Sequence, residues 1–160
     1  MLVGEFAGAS PTILARLSFP ELPRDTVVDI DFLLDTGANL SVIHPRNVAA
    51  FLGVGALGTV PTPARIEALA RAVDATFGHL EQEHARGIGG TAAYYAVSAR
   101  VQFTDSEGWP VTYRHDVVVA RPSATNWTYP SFLGMDFLTY FDVRLNHGRN
   151  VVALEFETTA

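Results

Sequence analysis

The sequence predicts a mainly β fold, and three observations carry that expectation. Apolar and polar residues alternate with a period of two over several short runs. Gly and Pro, 13 and 9 in number, mostly punctuate those runs. Helical periodicity is confined to two or three short places, which suits a small sheet closed or folded over on itself.

Residues 12–19 read as the first strand, with Ile13, Ala15, Leu17 and Phe19 on one face, broken by Pro20 and Pro23. Residues 26–34 read as the second. Val28, Ile30, Phe32 and Leu34 alternate with Asp29 and Asp31, and the run ends in Asp35-Thr36-Gly37-Ala38. Residues 40–43 are short and apolar, a further strand. Pro45 suits the first position of a helix that Gly53 stops. Thr62-Pro63 opens a second helix whose Ile66, Leu69, Val73 and Phe77 share one face, and Gly78 ends it.

Residues 79–86 are polar and show no period, and Gly87-Ile88-Gly89-Gly90 reads as a turn. Alternation returns with Ala93, Tyr95, Val97, Ala99, Val101 and Phe103. A turn over 105–108 and a strand over 111–120 follow. Phe132-Leu133-Gly134 leads into a short helix near 135–140. The chain closes with a hairpin, Val143 and Leu145 against 151–156, around a turn at 146–148.

The 160 residues suit one domain, 1–160, with 48% hydrophobic and 18% charged side chains. A net charge of −6, with scattered arginines and no lysine, argues against a nucleic-acid surface. The lack of cysteine excludes disulfides, thiolate metal sites and a cysteine nucleophile. No basic start precedes an apolar run, and no apolar stretch reaches membrane-spanning length, so a cytoplasmic protein without membrane contact is expected. His79 and His84 have four residues between them where zinc-peptidase helices need three; no metal and no other cofactor is expected. Asp136 reads as a residue that caps or opens a short helix.

Asp35-Thr36-Gly37 ends an amphipathic strand and would hold a carboxylate rigidly at the edge of a core. Gly37 allows positive φ or a very close approach there. A lone carboxylate is a poor peptide hydrolase. Two about 3 Å apart cannot both ionise, so one acts as base toward water while the protonated one polarises the scissile carbonyl. The sequence holds one such triplet; Asp105-Ser106-Glu107-Gly108 has its glycine misplaced and reads as a turn. The second carboxylate therefore comes from another subunit, most simply across a two-fold axis.

Leu33-Leu34-Asp35-Thr36-Gly37-Ala38 resembles the active-site loop of the retropepsin-like aspartic proteases. Phe132-Leu133-Gly134 followed by Met135-Asp136-Phe137-Leu138 is similar to the element that packs beneath that loop in the family. The resemblance, about 12–156, implies a single acid-protease lobe with a short helix in its C-terminal half and an inserted helix within 55–85. It implies a homodimer hydrolysing an extended peptide or protein substrate. Asp35 would be catalytic, and Thr36, Gly37, Phe132, Leu133 and Gly134 would support it. Ala38, Asn39, Ile88, Gly89 and Gly90 would contact substrate, the last three as a flap. The acidic residue and the arginine that pair in the retroviral enzymes are Asn39 and Met135 here, and the 55–85 segment is longer. The alternative is a catalytically weak or inactive binding module whose inserted segment fills the cleft or recruits a partner.

Overall fold

The computed structural model describes residues 1–22, 26–55, 58, 60–87 and 90–156. These form ten strands and three α-helices: β1 (Leu2–Ala7), β2 (Ser10–Ser18), β3 (Val27–Leu34), β4 (Val42–Ile43), α1 (Pro45–Leu52), α2 (Pro63–Phe77), β5 (Gln82–Gly87), β6 (Gly90–Thr104), β7 (Pro110–Ala120), β8 (Phe132–Leu133), α3 (Met135–Leu138), β9 (Phe141–Asn146) and β10 (Val151–Phe156). The fold is mainly β, with a helix inside the 55–85 segment and a short one after Gly134.

The strands lie in the order β5-β6-β7-β4-β8-β3-β2-β1-β10-β9, and β6 also pairs with β2. The stretch from β6 round to β2 therefore closes into a ring. Period-two alternation explains what fills it. Ile13, Ala15 and Leu17 of β2, Ile30 and Phe32 of β3, and Val97, Ala99, Val101 and Phe103 of β6 are all buried in one cluster.

Both longer helices join that core. Pro45 starts α1, and Gly53 closes it in the left-handed conformation (φ 68°). The Thr62 hydroxyl accepts the Arg65 N–H to open α2. Leu69, Val73 and Phe77 bury the apolar face of α2. A chain of rings, Phe19–Phe51–Phe77–Tyr95, runs from the residue after β2 through both helices to β6. Asp74, on the outer side of α2, accepts the Tyr95 hydroxyl at 2.7 Å and Arg121 Nε and Nη2 at 3.0 Å each. The inserted helix is thus a piece of the core, bolted to β6 and to the residue after β7.

Two strands were hidden in the sequence. In β1, Gly4 falls where an apolar side chain would mark the inward face, because a Cβ there would run into the Thr12 carbonyl of β2. β5 is an edge strand paired only with β6, so its described side chains stay exposed and polar. The first strand also begins earlier than expected, at Ser10. Among the described residues no helix is long and apolar enough to cross a membrane.

Candidate active site

The site grows from the end of β3. β3 and β8 run parallel, Leu33 opposite Phe132 and Leu34 opposite Leu133. Leu33 N–H donates to Ser131 O, and Asp35 N–H to Leu133 O, both at 3.0 Å. Leu34 and Leu133 are buried below the turn, and Phe132 packs into a second cluster with Val42, Val118 and Ala120. Asp35 follows directly, the first residue past the end of β3. It is partly buried, and its Oδ1 accepts the Gly37 N–H at 2.9 Å, while Ala38 N–H donates to Asp35 O at 3.2 Å.

The chain then doubles back along 134–136. Met135 N–H donates to Ala38 O at 2.8 Å and Asp136 N–H to Asn39 O at 3.2 Å. Gly134 is wedged between: a Cβ there would lie 2.9 Å from Ala38 O and closer still to the Leu40 carbonyl. Of the two uses open to Gly37, the structure takes the close approach. It does not have positive φ, and its constraint is contact, since a Cβ would sit 3.2 Å from Asp35 Oδ1.

Asp136 stands in the first turn of α3, as a residue that opens the helix would, but it does not cap it. α3 has no side-chain cap; the Asp136 carboxylate instead reaches across to Ser41. Oδ2 accepts the Ser41 N–H at 2.9 Å, and Oδ1 accepts the Ser41 hydroxyl at 2.7 Å. The Ser41 oxygen in turn accepts the Gly134 N–H at 3.1 Å, and Ser41 O accepts the Val118 N–H at 2.9 Å. His115 of β7 brings Nε2 to 3.3 Å from Asp136 Oδ2, an ion-pair distance whose alignment falls short of a hydrogen bond. Burial by itself pushes the Asp136 carboxyl up. The His115 contact and the two Ser41 hydrogen bonds outweigh it and hold the group below the usual carboxylate range.

A second histidine supports the far side. His44, 3% exposed, donates Nδ1–H to Pro130 O at 2.8 Å, and its backbone N–H donates to Ser131 Oγ at 3.0 Å. Burial outweighs the Pro130 bond and lowers its pKa to about 4, so the ring is neutral near pH 7.

Of the residues singled out in the sequence, Asp35, Thr36, Gly37, Ala38, Asn39, Phe132, Leu133 and Gly134 come together at this crossing. Thr36 is exposed, with no hydrogen-bond partner for its hydroxyl among the described residues. Ile88 and Gly89 lie outside the described residues. Gly90 pairs with Gly87 where β5 and β6 join, and no described hydrogen bond links it to the Asp35 turn. Ser41, Asp136 and His115 escaped the sequence reading as functional residues. Ser41 and Asp136 carried one signal, polarity inside the apolar runs Leu40-Ser41-Val42 and Met135-Asp136-Phe137, and His115, between Arg114 and Asp116, carried none. Among the described residues no three His, Asp or Glu side chains group closely enough to hold a metal ion.

No family model matches this sequence, and no curated protein does. Among solved structures, the chain is similar to an EIAV protease complexed with the inhibitor HBY-793. The identity is 16% and the TM-score 0.45, over 83% of this chain and 88% of that one.

Proposed function

We propose that this chain is an aspartic endopeptidase of the retropepsin-like kind, with Asp35 from each of two copies forming the catalytic dyad. The observation that carries the reading is the state of Asp35. Its backbone is clamped to β8, yet its carboxylate is partly exposed and has a single hydrogen bond among the described residues, from Gly37. Asp136 spends both oxygens on its surroundings. Asp35 Oδ2 has no described partner, which leaves it open to a group from outside the chain.

A second Asp35 across a two-fold axis would supply the like-charged neighbour that forces the pair to share a proton. The ionised member then takes a proton from water as the water attacks the scissile carbonyl, and the protonated member donates to the carbonyl oxygen. The exposed Thr36 hydroxyl lies at the same surface and suits a contact across that axis. The 87–90 end of the β5–β6 hairpin, Ile88 and Gly89 included, would cover the bound peptide. No metal or organic cofactor takes part in this scheme.

The test is digestion of an unfolded protein mixture between about pH 4 and 7, native chain against Asp35→Asn, with cleavage sites read by mass spectrometry. The variant should lose at least about a thousandfold in rate while keeping its circular dichroism. Equal background from both, in a chain that sediments as a monomer at micromolar concentration, would replace this reading with that of a binding module.

A further inference from the structure

The strand order ends at β5 on one side and at β9 on the other. β9 pairs with β10 in an unbroken register, from Phe141 opposite Phe156 to Asn146 opposite Val151. Among the described residues no strand pairs with its other side. β9 holds neither proline nor glycine, so its outer row of N–H and C=O groups can accept another strand along its whole length. It also follows closely on the candidate site. Only Thr139 and Tyr140 separate it from α3, whose Met135 N–H is bonded to Ala38 O.

The charges on this edge are out of balance. Asp142 and Glu155 stand directly opposite each other across β9 and β10, an unfavourable placement for two carboxylates. One guanidinium serves both: Arg144 Nη2 lies 3.0 Å from Glu155 and 3.4 Å from Asp142. Asp142, on the edge strand and 56% exposed, has the longer contact and can take a second cation. On the alternate face Phe141 is buried and Val143 partly so, while Leu145 is 47% exposed.

We propose that β9 is the strand along which two copies of this chain join, pairing antiparallel with itself about a two-fold axis at Val143. This deepens the aspartic-peptidase reading and rests on it only for the two Asp35 carboxylates meeting on that same axis.

Face and charge together select the register. Residues opposite each other in an antiparallel pair share a face, so a slip by one residue sets the charged face of one copy against the apolar face of the other. Three central registers keep like faces together. Centring on Asp142 opposes two carboxylates, and centring on Arg144 opposes two guanidiniums. Centring on Val143 puts each Asp142 opposite the partner's Arg144, so each pair of acids gains a second guanidinium. Phe141 then lies opposite the partner's Leu145 and covers it. The ten-stranded sheet continues from one copy into the next, and its open end disappears.

The first experiment is sedimentation of the native chain, Asp142→Arg, Arg144→Asp and an equimolar mixture of the two variants, with circular dichroism to verify each fold. Either variant alone opposes like charges across the axis, so its dimer dissociation constant should rise at least about tenfold. In the mixture the opposed charges are complementary again, and the constant should return to within about threefold of the native value. The second experiment uses the absence of cysteine. Val143→Cys sets two thiols opposite each other, with Cα atoms about 4.5 to 5.5 Å apart, and should yield a covalent dimer with oxidised glutathione. Leu14→Cys, at a position 62% exposed on β2, should not. A native chain that stays monomeric at about 100 μM, single variants that dimerise like the native chain, or a mixture that fails to recover would each overturn the proposal. Cleavage separates it from the reading it rests on. Dimers that follow the charges in a chain that cleaves nothing would support the β9 pairing and sink the peptidase. Asp35-dependent cleavage that persists in both single variants would keep the peptidase and overturn the pairing.

Discussion

The Asp35 turn and the base of the β5–β6 hairpin are held by different physics. At the turn, most of the ties are backbone hydrogen bonds, between residues 33–39 and 131–136, packed around a glycine that leaves no room for a methyl group. At the hairpin, α2 grips β6 and the end of β7 through one carboxylate, Asp74, shared between Tyr95 and Arg121. The first arrangement tolerates little change, because its hydrogen bonds and close contacts are made by the backbone. The second is a charge pair in partial contact with water, 41% and 37% exposed, so salt and acid weaken it. Under the proposed function, the catalytic carboxylate would call for the first kind of support, and a covering hairpin would be served by the second.

The sharpest way to break this contrast is Gly134→Ala. The new methyl group would collide with the Leu40 and Ala38 carbonyls, neither of which can swing aside like a side chain. A loss on the order of 3 kcal/mol is expected in chemical denaturation. A variant as stable as the native chain would show that the turn is not pinned from below.

Acid tests the same region from its other flank. Because His44 has its pKa lowered to about 4, the unfolded chain binds a proton that the folded chain refuses between that value and about 6.5. Its contribution is intact above about pH 6.5 and is lost as pH falls, on the order of 3 kcal/mol by pH 4. His44→Gln should therefore flatten the stability profile over that window, measured as urea midpoints at several pH values. An unchanged slope would place the acid sensitivity elsewhere.

The smallest effect belongs to the hairpin side. The Arg121 guanidinium, with help from Tyr95, outweighs burial and holds the Asp74 carboxyl below its usual range. Its contribution is present above the ordinary carboxylate values and lost as pH falls through the lowered one. Asp74→Asn should cost about 1 kcal/mol at neutral pH, less in high salt. A loss as large as that from Gly134→Ala would erase the distinction between the two regions.

Much of this was legible before any coordinates. The burial of Ile30, Phe32 and Leu34 follows from period-two alternation, and the caps of α1 and α2 follow from Gly53 and Thr62. Asp35 was visible because an amphipathic strand precedes Asp-Thr-Gly, Ala38 follows it, and Leu133-Gly134-Met135-Asp136 comes about a hundred residues on. β1 and β5 were not legible. Gly4 removed the apolar mark from the first, and one-sided pairing left the second with no face to bury.

The sequence alone settled which segments alternate, where chain direction changes, and that a single Asp-Thr-Gly triplet is present. The tertiary structure decided what stands behind that triplet. Ser41, His115 and Asp136 are ordinary polar residues in their own segments, and they become one unit only when β4, β7 and α3 converge beneath the turn. Local pattern records how each segment meets water or core. It holds no record of which distant groups end within 3 or 4 Å of one another, because that distance is set by the closure of the sheet as a whole.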